Sequence, residues 1–322
     1  MSFSVSKIRT DLMGMAILWI MLFHTSGLFM FPKIISVFQS TGFYGVDIFF
    51  FVSAYGLYFS MNRPQTLREW YAKRLKRILP TFFIVATIFG IFKEWTIGEF
   101  INEELFIGFL CPWLNNKVEY WYIPSALLFY LLFPLLYNNL KILKKYIIFI
   151  YILSGVLFFI SNQIISPIQK YPYIVWFIAR IPVFISGLIY ADVENYINEK
   201  FKNHKYILFL VLFISLCSFI NLLFNLVSIP FVNQFWIMLF SLPIIFAMSY
   251  IIKDKIKILN PVFNYCGTYS LELYLLHIMF YMNIPNLNFL QDLNSNYTYL
   301  CSFLLAFPCA WLLNKTLRLI IK

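Results

Sequence analysis

The chain has 322 residues, of which 61% are hydrophobic, 21% aromatic and only 12% charged, and its formal net charge is +11. Soluble globular chains are about 45–50% apolar and about 25% charged. The composition therefore argues against a soluble enzyme, a disordered protein and, despite the positive charge, a nucleic-acid-binding domain.

Apolar segments recur ten times along the chain, and most approach the length of about 20 residues that a membrane-spanning helix needs. We predict an all-α, polytopic membrane protein with spans at 12–31, 42–60, 78–93, 121–139, 146–160, 172–192, 205–224, 232–252, 265–284 and 298–320. These spans use most of the chain, so residues 1–322 are expected to form one transmembrane domain without an appended soluble domain.

The distribution of basic residues gives the predicted topology a direction. With the N-terminus inside, the inner segments hold twenty of the 25 Lys and Arg residues, whereas the outer segments hold four. Lys and Arg collect on the cytoplasmic side of membrane proteins because they resist translocation. Both termini are therefore predicted to be cytoplasmic, and the acidic stretch 94–120 to be outside. Topology and membrane lipid explain most of the net charge.

Five ionisable residues fall inside predicted spans, where they are costly and suggest function. At 1.5 Å per residue, His24 and His277 lie about 18 Å above the inner edge, and Arg180 lies about 12 Å below the outer edge. Asp47 lies about 8 Å below the outer edge, and Glu272 is nearer the inner edge. Each also has a structural interpretation: a hydrogen bond to a neighbouring helix, neutralisation of Arg180 by Asp47, or an approach of Glu272 to the inner interface.

The cysteines give no indication of a metal site. The sequence has five of them, but no Cys-x-x-Cys and no Cys/His pairing at metal-ligand spacing. We therefore expect no bound metal.

Four stretches carry a family resemblance, in the same order along the chain. They are IRTDLMGMAILWIMLFH, which ends at His24; GFYGVDIFFFVSAYGLYFS; WYAKRLKRILPTFF, with Arg74 and Arg77; and YSLELYLLH, which contains Ser270 and ends at His277. Together with WYIPSALLFYLLFP they resemble the integral-membrane acyltransferase-3 family over nearly the whole chain.

The resemblance implies an enzyme of the bacterial plasma membrane. Members have ten spans, and many are O-acetyltransferases that modify envelope carbohydrates. The expected donor substrate is acetyl-CoA or another acyl-CoA, and the expected acceptor is a carbohydrate or glycolipid. Many members carry a basic residue eleven positions before the first-helix His. That position is Met13 here. Either Arg9, one turn earlier, replaces the missing cation, or the acyl donor is held somewhat differently.

The implied site needs a base or nucleophile, an oxyanion partner and a phosphate anchor. His24 either deprotonates the acceptor hydroxyl or attacks the thioester itself, and the sequence leaves both schemes open. Arg74 and Arg77, three residues apart, share a helical face suited to the donor phosphates. In this scheme Asp47 orients His24 and Arg180 stabilises the oxyanion. Further candidates are His277, Ser270, Glu272, and Tyr120, Trp121 and Tyr122 as stacking partners of a sugar.

Two other functions fit a polytopic protein with polar groups at mid-membrane. One is a transporter or flippase of envelope precursors, and the other is a polysaccharide polymerase-like membrane protein. Neither has an evident need for a coenzyme A anchor. The combination of Arg74 and Arg77 with His24 therefore favours the acyltransferase. Protein partners are not indicated by the sequence.

Overall fold

The computed structural model describes most of the chain. The described residues are 5–25, 33–114, 116–165, 173–200, 210, 213–214, 217, 241–248, 252, 257–283 and 295–320. The seventh and eighth predicted spans lie largely outside these ranges.

The described residues are almost entirely helical and contain no β-strand. The first helices are α1 (Val5–His24), α2 (Lys33–Ser40), α3 (Tyr44–Met61), α4 (Leu67–Phe92), α5 (Ile97–Glu104) and α6 (Ile107–Leu110). They are followed by α7 (Tyr122–Asn138), α8 (Leu140–Lys145), α9 (Ile147–Ile165) and α10 (Tyr173–Lys200). Residues 241–248 are also helical, and the chain continues with α11 (Asn260–Thr268), α12 (Ser270–Asn283) and α13 (Ser295–Ile320).

Four of the described helices are long and apolar enough to cross a membrane: Tyr44–Met61, Leu67–Phe92, Tyr173–Ile197 and Tyr299–Ile320. The apolar helices Tyr122–Asn138 and Ile147–Ser161 are shorter. The helical content and these apolar helices confirm the prediction of an all-α membrane protein. The count of ten spans and the cytoplasmic position of both termini stay predictions.

Several helices differ in extent from the predicted spans, and two of these differences bear on the site. Helix α1 begins at Val5, whose backbone N–H donates to Glu194 of α10 at 2.7 Å, and it ends at His24. His24 is therefore the last residue of a helix rather than the middle of one. The predicted span 265–284 is divided between α11 and α12, next to Thr268. The hydroxyl of Thr268 donates to the Asn264 carbonyl at 2.8 Å, a contact that often bends helices.

Close helix contacts bring α1 and α12 together. Helix α1 packs against α3, α11 and α12, and α12 also packs against α4 and α13. A Cβ atom on Gly14 would lie 1.7 Å from the carbonyl oxygen of Phe263, and one on Gly267 would lie 1.9 Å from that of Thr10. Glycine at both positions is therefore required for the approach of α1 to α11. This approach places the C-terminal end of α1 beside α12.

Candidate active site

A cavity of about 560 Å³ opens among α1, α3, α4, α7 and α12. On α1 its lining runs from Ser6 through Arg9 and Met13 to Ile20, so it follows the first helix for most of its length. Ile20 lies one helical turn before His24. At the same end the lining includes Tyr274, whose ring centroid lies 5.8 Å from that of His277. The cavity therefore extends from the basic, N-terminal end of α1 to the turn before the two histidines.

The lining of this cavity is strongly cationic. It contains five basic side chains and, within the part of the chain that the structure describes, no Asp or Glu: Arg9, Arg63, Lys73, Arg74 and Arg77. Such a concentration of one sign of charge attracts anions. Ligand sites of proteins are typically about 300–1,000 Å³, so the volume suits a substantial anionic ligand.

Arg9 lies in the cavity because α3 has a glycine opposite it. A Cβ atom on Gly56 would lie 2.5 Å from the Arg9 Cζ atom. Any larger side chain at this position would displace the guanidinium group. Met13 also lines the cavity, and Arg9 supplies a cation one turn nearer the N-terminal end of α1.

Arg74 projects into the cavity from α4. Its guanidinium group lies over the Trp70 ring, with Cζ 5.4 Å from the centroid, and one of its nitrogens donates to the Ser60 hydroxyl. Its Nε atom is buried and has no hydrogen-bond partner. Arg74 therefore retains donor capacity for a ligand.

Arg77 is placed differently, although it lies on the same helical face. Its two terminal nitrogens donate to the two carboxylate oxygens of Glu272, at 2.6 and 3.1 Å. Glu272 is fully buried and also accepts from Asn314 at 2.7 Å. The expected approach of Glu272 to the inner interface is therefore replaced by a hydrogen-bonded ion pair that joins α4 to α12. Arg77 holds this joint while it lines the cavity.

His24 and His277 form a direct pair. The Nδ1 atom of His24 lies 3.2 Å from the Nε2 atom of His277 and 3.0 Å from the carbonyl oxygen of Ile20. The Nδ1 atom of His277 lies 2.9 Å from the carbonyl oxygen of Leu273. His277 is fully buried, whereas His24 is exposed. The accessible imidazole of His24 thus contacts the buried imidazole of His277.

Asp47 and Arg180 form a second buried pair. The Nε atom of Arg180 lies 3.2 Å from one Asp47 oxygen, and the other Asp47 oxygen accepts from Ser241 at 2.6 Å. Arg180 also donates to the Trp176 carbonyl at 3.0 Å, and its guanidinium group lies over the Trp121 ring at 5.5 Å. The depths estimated from the sequence anticipated this pairing.

The role predicted for Asp47 disagrees with the geometry. Asp47 was expected to orient His24, but its oxygens face Arg180 and Ser241, and the polar contacts of the His24 ring are with Ile20 and His277. Helix depth indicates which residues share a level, but not which helices are neighbours.

The expected sugar-stacking aromatics are also placed otherwise. Tyr120 is fully buried and its hydroxyl donates to the Leu275 carbonyl at 3.2 Å, so it offers no surface to an acceptor. Trp121 packs edge-on against Trp176 at 5.2 Å, and Tyr122 lines the inner cavity. Trp121 is partly exposed and does not line the cavity, which distinguishes it from the other two. Packing between helices therefore decides where these three aromatic rings lie, which their position next to a predicted span did not reveal.

The cavity also contains polar residues that the sequence analysis did not select. Tyr130 lies two turns after Tyr122 on α7, and the hydroxyls of both interact with that of Ser53 on α3. The spacing of eight residues, which keeps Tyr122 and Tyr130 on one helical face, was the signal that could have identified Tyr130. Ser270, a candidate from the sequence, also lines the cavity.

Between α4 and α7, a buried carboxylate organises the stretch 94–120. Glu103 on α5 accepts from the backbone N–H groups of Glu119 and Tyr120, at 2.8 and 3.1 Å. Burial raises the pKa of Glu103 to about 7, although these two donors oppose the shift. The described residues contain no group of three His, Cys, Asp or Glu side chains that could hold a metal ion.

The fold and the site together define a helical membrane protein with a cationic cavity that ends one turn from a histidine pair. The family model described as an acyltransferase domain, that of the acyltransferase-3 family, matches residues 12–315. The chain belongs to this family. The comparison with curated proteins gives no match, and neither does the comparison with solved structures.

Proposed function

We propose that the protein transfers an acetyl or other acyl group from acyl-coenzyme A to a hydroxyl of an envelope carbohydrate or glycolipid in the bacterial plasma membrane. Family membership supports acyl transfer, and the apolar helices support a multi-pass membrane protein. The identity of the donor, the identity of the acceptor and the location in the bacterial plasma membrane are proposals. The observation that carries the proposal is the cationic cavity that leads from the inner side to the turn below His24.

The donor is proposed to enter from the cytoplasm with its phosphates at the basic end of the cavity. Guanidinium groups bind phosphate through paired hydrogen bonds, and Arg9 and Arg74 have no acidic neighbour in the described lining. Arg77 contributes charge while it stays paired with Glu272. This arrangement directs the acyl end of the donor towards Ile20 and Tyr274.

His24 is the proposed catalytic residue. As a general base, its ring nitrogen takes the proton of the acceptor hydroxyl while the hydroxyl oxygen attacks the thioester carbon. The carbon–sulfur bond breaks, and the thiolate leaves with that proton. In the alternative relay, the same nitrogen attacks the thioester first. Both schemes require the thioester to pass beyond the described end of the cavity by about one turn, roughly 6 Å.

Arg180 and Asp47 are proposed to support the site rather than react. The opposite charges of the pair face each other at 3.2 Å, Ser241 donates to Asp47, and Arg180 contacts the Trp176 carbonyl and the Trp121 ring, although the Arg180 Nε atom makes no hydrogen bond. Neither Asp47 nor Arg180 lines the cavity. We therefore assign the pair to the positioning of α3 against α10.

The test is donor binding by the detergent-solubilised protein. Acetyl-coenzyme A or coenzyme A should raise the thermal midpoint, since a ligand at 100 times its Kd adds about 2.7 kcal/mol. In calorimetric titration, Arg74→Lys should weaken donor affinity about tenfold or more, because an ammonium group cannot reproduce the guanidinium fork. Arg77→Lys should weaken it less, because Arg77 is held by Glu272.

Lys76 provides the matched control. It lies between the two arginines on α4 but does not line the cavity. Lys76→Ala removes a full charge and should leave donor affinity within about twofold, since exposed charges are strongly screened. If coenzyme A neither stabilises the protein nor binds, or if Lys76→Ala and Arg74→Lys weaken binding equally, the donor site is wrong. Absence of any donor binding would favour the transporter alternative.

A further inference from the structure

We infer that His277 is a positioning residue that keeps the reactive Nε2 atom of His24 unprotonated. This inference rests on the proposed function and assigns the second histidine a role in it. The observations are the contact between the two rings and the carbonyl group that each Nδ1 atom faces.

The proton of His277 is located by its carbonyl partner. A carbonyl oxygen only accepts hydrogen bonds, so the Nδ1 atom, 2.9 Å from the Leu273 carbonyl, must carry a hydrogen. His277 is fully buried, and a buried imidazole without an anionic partner is neutral. Its Nε2 atom therefore has a lone pair and can only accept.

The same reasoning fixes the tautomer of His24. Its Nδ1 atom faces two acceptors, the Ile20 carbonyl at 3.0 Å and the Nε2 atom of His277 at 3.2 Å. A single Nδ1–H group shared between them satisfies both. In the neutral ring the remaining nitrogen, Nε2, then carries the lone pair. His277 thus does for His24 what a carboxylate does in many catalytic triads.

With this assignment, every proton in the reaction has a defined position. The acceptor proton moves to Nε2 of His24 and then to the departing thiolate, while the Nδ1–H group stays between Ile20 and His277. The positive charge that develops on His24 lies at the C-terminal end of α1, where the helix dipole favours it. In the relay scheme, the same Nε2 lone pair forms the bond to the acyl carbon.

Two substitutions at position 277 test whether the hydrogen-bond-accepting atom matters rather than the shape of the ring. Glutamine places an oxygen near the position of Nε2, whereas asparagine reaches only the position of Nδ1. We expect His277→Asn to lower kcat about 10²–10⁴-fold, the range for an impaired general base, with KM for the donor unchanged. His277→Gln should retain kcat within about tenfold of wild type. Equal losses in both variants, or wild-type kcat in His277→Asn, would overturn the inference.

A second measurement needs no turnover, and it uses a variant only to assign the signal. The sequence has three histidines, so ¹⁵N-histidine labelling gives three rings, and the signal of His24 is the one missing in His24→Gln. In the wild type at pH 8 its spectrum should show a protonated Nδ1 and an unprotonated Nε2. A proton on Nε2 would overturn the inference. Because no donor is added, this result is independent of coenzyme A binding, so either the tautomer assignment or the donor site can fail alone.

Discussion

Two buried polar pairs lie among the helices, and they differ in what remains available. In the Asp47–Arg180 pair, both carboxylate oxygens have partners, and the guanidinium group contacts a carbonyl and an aromatic face. In the His24–His277 pair, the contacts occupy three of the four ring nitrogens and leave Nε2 of the exposed His24 without a described partner.

The difference separates a structural contact from a chemical one. Charges buried together are stabilising only when their partners are complete, and the removal of one partner leaves an uncompensated charge. A neutral imidazole with one uncommitted nitrogen is what a base or nucleophile requires. We therefore expect substitutions in the first pair to change mainly stability, and substitutions at His24 to change mainly rate.

The largest expected effect is on the rate of the His24→Ala variant. Loss of the proposed base should reduce acyl transfer to the acceptor by about 10²–10⁴-fold, measured as product by mass spectrometry of envelope glycans. The thermal midpoint of the purified protein should change little, because the side chain is exposed. His204, the third histidine of the sequence, is the control, and His204→Ala should retain activity.

Retention of more than about a tenth of wild-type product by His24→Ala would contradict a role in general base or nucleophilic catalysis. A large loss of thermal stability in this variant would instead place His24 in the same structural class as Asp47.

The second-largest expected effect is on the stability of variants of the Asp47–Arg180 ion pair. Asp47→Asn leaves Arg180 without its carboxylate and should destabilise the protein by about 3–5 kcal/mol, measured by reversible unfolding in detergent. Arg180→Ala should lower stability and activity as well. In the double variant the losses should be less than additive, because the two residues act through one contact.

Additive losses in stability and in log rate would show that Asp47 and Arg180 act independently. Activity that falls by 10²-fold or more in Arg180→Ala at unchanged stability would restore Arg180 as a direct oxyanion partner.

The smallest effect tests a buried carboxylate outside the spans. The pKa of Glu103 is about 7 in the folded protein against 4.5 without burial, so the folded state binds its proton more tightly. Stability should therefore fall as the pH rises from about 4.5 to about 7, by up to roughly 3 kcal/mol at 1.36 kcal/mol per pKa unit. Glu103→Gln should remove this dependence of the thermal midpoint between pH 5 and pH 8.

Glu99 on the same helix is the matched control. It accepts from the Thr96 backbone N–H at 2.7 Å, and this bond lowers its pKa below the ordinary value. Its contribution to stability is therefore complete above about pH 4.5 and is lost only at lower pH. Glu99→Gln should leave the difference between pH 5 and pH 8 as in wild type. An unchanged dependence in Glu103→Gln would contradict the assignment.

Much of the candidate site could be predicted from single helices. Helical spacing indicated that Arg74 and Arg77 share a face, and helix depth brought Asp47 to the level of Arg180. The same reasoning could not detect that Arg77 is paired with Glu272, which lies 195 positions later. Contacts between helices depend on which faces pack together, and the periodicity of one helix carries no information about its neighbour.

The sequence by itself determined the helical class and the family, because composition and motif order are properties of the linear chain. Only the tertiary structure decided the partners. It joined His24 to His277 across 253 positions, paired Arg77 with Glu272 and buried Tyr120. The close approach of α1 to α11, which Gly14 and Gly267 permit, is the physical reason that α1 ends beside α12 and that the two imidazoles meet.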